Sequence, residues 1–86
     1  MFELSAQYDS AKSFYGKAVV EMSDDERHMT LYSYTTPVCK LDRETGEYEV
    51  DVDALTNTST RHVREFLRQF AGLPHMSKQQ IISGSN

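Results

Sequence analysis

The chain has 86 residues and a formal net charge of -4, with 38% apolar and 26% charged residues. One small domain of this size buries roughly 60% of its unfolded surface, which leaves little room for a deep active site and the framework to hold it. No apolar run is long enough to span a bilayer, MFELSAQYDS lacks the pattern of a signal peptide, and the single Cys39 excludes an internal disulfide, so the chain reads as a cytoplasmic, non-membrane protein.

Residues 1–13 are weakly patterned and, with residues 83–86, are expected to be loosely ordered. Phe2 and Leu4 suit a short strand or an edge, and Tyr8-Asp9-Ser10 reads as a turn. After Phe14-Tyr15-Gly16, a strand begins over Lys17–Met22, with Ala18, Val20 and Met22 on one side. Ser23-Asp24-Asp25-Glu26 is a polar turn. Met29–Asp42 is a long β-prone run whose phase slips near Thr35-Thr36-Pro37, so Pro37 belongs at a bulge or an open edge. Arg43-Glu44-Thr45-Gly46 is a hairpin connection. Glu47–Asp53 then alternates without a break, which puts Tyr48, Val50 and Val52 inward and Glu47, Glu49, Asp51 and Asp53 outward.

Thr56–Gly72 carries the strongest signal. Thr56, Asn57, Thr58 and Ser59 can cap a helix start, and Val63, Phe66, Leu67 and Phe70 recur at helical spacing. Gly72 and Pro74 end it. Beyond the Leu73-Pro74-His75 linker, Met76–Ile82 reads as a second short helix, with Ser77 and Gln80 at capping-box spacing and Met76 able to staple Ile81. The fold class is therefore α+β: a three- or four-stranded antiparallel meander packed by one amphipathic helix, with a short C-terminal helix, all in a single domain over residues 1–86. Exposed β edges would allow a homodimer as well as a monomer.

Charge is unevenly spread. Residues 21–53 sum to -7, and residues 61–86 to +3. Glu44, Glu47, Glu49, Asp51 and Asp53 form a candidate acidic face. As a metal site this ladder lacks ligands from other elements and a calcium-loop glycine, so no metal or other cofactor is expected. The simplest reading is a solvated face. A third reading is imitation of a phosphate backbone, because nucleic-acid grooves are built to neutralise regularly spaced negative charge. Arg61, Arg64 and Arg68 flank the main helix and suit a negatively charged partner, with Arg61–Glu65 as an i, i+4 pair. Tyr32 and Tyr34 share a strand face and could stack bases, although packing beside the helix is the more economical use of them. His62 and Glu65 are conceivable as a proton-transfer pair, but no nucleophile, oxyanion loop or phosphate-binding glycine run accompanies them. Cys39 has no partner at a diagnostic spacing, and His28 and His75 are single.

Three segments together, Ser13-Phe14-Tyr15-Gly16-Lys17-Ala18, Leu31-Tyr32-Ser33-Tyr34-Thr35-Thr36-Pro37-Val38 and Thr58–Gln69, resemble a family of small proteins of phages and other mobile elements of Gram-positive bacteria. That family has no established activity, so the resemblance transfers no functional residues. It implies accessory genes that act on host machinery, including CRISPR and restriction systems. The expectation is a non-enzymatic protein that binds a host protein, such as a CRISPR effector or restriction complex, through the acidic face. The alternative is a small DNA- or RNA-binding module that uses Arg61, Arg64 and Arg68 of the main helix, with Lys78.

Overall fold

Alternation and turn chemistry build a single antiparallel sheet. The computed structural model describes residues 1–7 and 17–86. Its strands are β1 (Phe2–Glu3), β2 (Ala18–Met22), β3 (His28–Ser33), β4 (Thr36–Asp42) and β5 (Tyr48–Val50), in spatial order β1-β2-β3-β4-β5. A 3-10 turn (Val52–Ala54) leads into α1 (Asn57–Phe70), and α2 (Lys78–Ser83) follows. The turn expected at Tyr8-Asp9-Ser10 and the Phe14-Tyr15-Gly16 approach to β2 lie outside the described residues.

Sequence alternation assigns the two faces. Val20, Leu31 and Cys39 are neighbours in register across β2, β3 and β4, as are Met22, Met29 and Leu41. Ala18, Val20, Met29, Leu31, Cys39, Leu41 and Tyr48 are buried, and α1 lies over β3 and β4. Val63, Phe66 and Leu67 fill the space beneath it, as their spacing requires. Phe70 is half-buried and meets Phe2 edge-on at 5.9 Å between ring centroids. The opposite face carries Glu21, Thr30, Lys40 and Glu49 in one row and Val19, Tyr32 and Pro37 in another. All of these are exposed or half-buried.

The helix ends follow their sequence signals. Thr56 Oγ1 accepts from Ser59 N, and Ser59 Oγ accepts from Thr56 N, a reciprocal box worth about 1 kcal/mol. Gly72 takes φ +66°, and Leu73 N donates to Leu67 O. Ser77 and Gln80 repeat the box at the start of α2. The connection before β5 uses Gly46 at φ +79°.

Three expectations need correction. The sheet has five strands rather than three or four. The run Met29–Asp42 is two strands joined by Tyr34-Thr35, and Tyr34 occupies the left-handed region at φ +62°. A tyrosine there carries no glycine or asparagine signal, so the turn reads as strand. The slip near Pro37 is real: register shifts between Leu31 and Tyr32, and the extra residue lets consecutive Val38 and Cys39 both be buried. Finally, the Glu47–Asp53 alternation outlasts its strand. β5 ends at Val50, and Val52 is 48% exposed rather than inward. Asp51 Oδ1 accepts from Asp53 N and starts the 3-10 turn, so a side chain takes the backbone donor that a longer strand would pair.

The C-terminal tail runs along the outer edge of β5. Val50 N donates to Ser85 Oγ at 2.9 Å, and Asn86 N donates to Tyr48 O at 2.8 Å. This occupies the outer edge of β5, while the other edge, β1, is two residues long.

Candidate functional site

The meander brings its two acidic connections to the same end of the sheet. β2 runs into Ser23–Arg27, and β4 runs into Arg43–Glu47, so both turns sit beside the start of β3 and β5. This end holds Asp24, Asp25, Glu26, Asp42, Glu44 and Glu47 against Arg27 and Arg43.

Two of those acids are committed to the fold. Asp42 accepts from Arg27 Nε and Nη2 at 3.2 and 3.0 Å, and from the backbone N–H of Glu44 and Thr45. The guanidinium bonds and these amides hold its carboxyl down to about 2 from the ordinary 3.8. Asp25 accepts from the Ser23 hydroxyl and from Arg27 N, in that order of effect, and its pKa is lowered as well. Glu44 reaches Arg27 at 3.4 Å. Asp24, Glu26 and Glu47 carry no side-chain hydrogen bond or ion pair among the described residues. Arg43 Nη1 donates to Glu26 O at 3.1 Å, across the two turns. Both arginines of this end are thus engaged, and the outermost carboxylates are left to solvent.

The predicted acidic face is therefore divided. Glu44 and Glu47 join the turn cluster, and Glu47 and Glu49 line a shallow hollow of about 170 Å³ with His28, Lys40 and Asp42. Asp51 and Asp53 lie at the opposite end of β5, at the entry to α1. The sequence ladder missed Asp24, Asp25 and Glu26 because they belong to a different hairpin. Hairpin geometry, rather than strand alternation, was the signal that could have joined them.

The helix arginines also separate. Arg61 and Arg64 line a groove of about 450 Å³ with Asn57, Thr58, Thr60 and Lys78. Arg64 Nε donates to Met76 O at 2.6 Å, which ties α1 to the linker before α2. Arg68 is half-buried in the last turn of α1 and is not among the residues lining this groove. Lys78, from α2, joins Arg61 and Arg64 there, as the nucleic-acid-binding alternative grouped them.

Beneath α1 lies a buried polar layer. Ser33 Oγ and His62 Nδ1 share a hydrogen bond of 2.7 Å, and both residues are buried. Glu65, 1% exposed, accepts from Gln69 Nε2 at 2.7 Å. Thr60 Oγ1 is buried and has no hydrogen-bond partner among the described residues, an arrangement that costs about 1–3 kcal/mol. The two tyrosines do not share one face, so the less favoured stacking platform does not form. Tyr32 stays on the outward face, whereas Tyr34, in the turn, stands 6.3 Å from the His62 ring. Among the described residues, no three His, Cys, Asp or Glu side chains converge on a metal position. No helix is long and apolar enough to cross a membrane.

Residues 2–84 match the model of DUF8033, a family of unknown function. The chain belongs to DUF8033. No curated protein and no solved structure matches it. Family membership covers β1 through α2, so both surfaces of this DUF8033 chain, the acidic sheet end and the basic groove, fall within the matched span.

Proposed function

We propose that this DUF8033 protein is a non-enzymatic binding protein whose acidic sheet end occupies a basic surface on a partner protein. The observation that carries this reading is the pairing of two acidic turns at one end, with Arg27 and Arg43 already engaged by the fold. Asp24, Glu26, Glu44 and Glu47 then present negative charge on short connections held by the Arg27–Asp42 bond. A surface of this kind is complementary to a groove that neutralises phosphates, and its association weakens as salt screens it.

The resemblance of the Ser13–Ala18, Leu31–Val38 and Thr58–Gln69 segments to small phage and mobile-element proteins supports a bacterial host as the setting. In that setting the partner is a nucleic-acid-targeting defence complex, of CRISPR or restriction type, and occupation of its groove inhibits it in the host cytoplasm.

The test is capture from host lysate by the tagged full chain, followed by inhibition of the captured nuclease in purified form. Reversal of Asp24, Glu44 and Glu47 to Lys should abolish both capture and inhibition. Reversal of Asp53, at the other end, should leave them intact. Capture that survives the first set at moderate salt removes the acidic end as the contact surface.

A further inference from the structure

We propose that the groove between the start of α1 and the start of α2 is a phosphate-binding site, with Asn57, Thr60, Arg64 and Lys78 as its donors and Arg61 on its rim. This goes beyond the acidic-end reading and does not depend on it.

Three observations converge. First, two cations of the groove are each tied to a backbone carbonyl. Arg64 Nε donates to Met76 O at 2.6 Å, and Lys78 Nζ donates to Leu55 O at 3.1 Å. Neither has a carboxylate partner among the described residues, although the whole chain is acidic. Each contact uses one donor and leaves the remaining N–H groups of the guanidinium and the ammonium for another acceptor. Second, the groove opens at the first turns of a 14-residue helix that carries no acidic residue in its first turn. No carboxylate of the helix itself offsets its positive end. Third, Thr60 lines the same groove, is only 4% exposed, and its Oγ1 has no partner among the described residues. Buried hydroxyls are nearly always satisfied; Oγ1 is closed off from solvent here, and rotation of the Thr60 side chain towards the groove would let it meet a ligand oxygen.

The arrangement favours a phosphate over a carboxylate. Its donors come from two helices on different sides of the groove. A tetrahedral oxyanion offers oxygens in several directions, whereas a carboxylate offers two in one plane. A groove of about 450 Å³ holds more than a lone phosphate. The groove has room for an organic group beside the phosphate, and the carrier we assign is a nucleotide, either free or in a strand.

The test is a titration of the isotopically labelled full chain, followed by amide NMR, with inorganic phosphate, a 5′-mononucleotide and a short single-stranded oligonucleotide. Saturable shifts should gather at residues 57–61 and 76–80 and weaken with salt. Lys78→Gln and Arg64→Gln should each weaken binding about tenfold, and Lys78→Arg should restore most of it. Thr60→Val, which keeps the shape and removes the hydroxyl, should weaken binding without loss of stability. Because Arg64 also holds the linker, Lys78→Gln, with an otherwise unchanged spectrum, is the deciding variant. Tighter binding of the mononucleotide assigns the site to a free nucleotide. Tighter binding of the oligonucleotide, still dependent on Lys78, assigns it to a strand. Failure of all three probes to saturate overturns the site, as does binding indifferent to Lys78→Gln and Arg64→Gln.

Discussion

Arg27, between β2 and β3, holds Asp42, at the end of β4, through two nitrogens at 3.2 and 3.0 Å. Fifteen residues separate them in the chain, and the bond joins the two acidic connections that the proposed partner surface requires. It has a defined pH signature. The folded pKa of Asp42 is depressed to about 2 from 3.8. A depressed carboxyl contributes stability above its unfolded pKa, and that contribution is lost as pH falls through the folded value. Denaturant midpoints measured from pH 3.8 down to about 2 should therefore fall with acid. Asp42→Asn should lower stability at neutral pH and flatten this slope. An unchanged slope in the variant would show that other carboxylates set the acid response.

Gly84 tests how the C-terminal tail is seated. Its φ of -86° suits any residue, so an alanine there is not strained by backbone conformation. A Cβ at Gly84 would nevertheless lie 2.5 Å from Tyr48 Oη and 3.4 Å from Tyr48 Cζ. The tyrosine is not free to retreat, because its hydroxyl donates to Ile81 O at 2.8 Å in a buried contact. Gly84→Ala should cost about 1–3 kcal/mol through overpacking. Tyr48→Phe should cost about 0.5–1.5 kcal/mol through the lost hydrogen bond. The double variant should cost less than the sum, because removing Oη removes the clash. Additive losses in urea unfolding would mean that the tail moves instead of the ring.

The helical layer was legible in the sequence because each signal there is local. Thr56 and Ser59, Ser77 and Gln80, and Gly72 act within a few residues of themselves, and the structure uses each as its pattern suggests. The sheet was less legible where a side chain overrode periodicity. Val50-Asp51-Val52-Asp53 continues a perfect alternation, yet the Asp51 carboxylate takes the Asp53 amide and turns the chain out of the sheet. Tyr34 makes a tight turn with a residue that signals strand. The acidic end depends on two hairpins meeting, and the basic groove depends on where α2 lands against α1. Both are tertiary relations that no spacing within one segment encodes.

Ser33 and His62 supply a test of the buried layer. Their 2.7 Å hydrogen bond joins the last residue of β3 to the second turn of α1, with both residues buried. Ser33→Ala removes one partner and leaves Nδ1 facing a methyl group. The cost should be about 1–3 kcal/mol by denaturant unfolding, the penalty for a stranded buried polar group. The imidazole nitrogen resonances should also shift in the variant. A loss under about 0.5 kcal/mol would mean that Nδ1 finds another acceptor or donor when the hydroxyl is gone.

Cys39 reports on the sheet from within. It lies opposite Leu31 on one side and Val50 on the other, and only 3% of it is exposed. Burial pushes its thiol up to about 12 from 9.0, because the thiolate would lose its hydration. The thiolate is the reactive species, so the native chain should resist an aromatic disulfide reagent at mildly alkaline pH. Labelling should proceed only through opening of β4. At high reagent its rate should cease to depend on reagent concentration and should equal the opening rate. Denaturant should accelerate it in parallel with global unfolding, because β4 is paired on both sides, with β3 and β5, and buries Val38, Cys39 and Leu41. At low reagent, where labelling follows the opening equilibrium, Gly84→Ala, which disturbs the tail beside β5, should accelerate it by the factor by which it destabilises the fold. Rapid modification of the native chain, unaffected by denaturant, would place the thiol at the surface and displace β4 from the core.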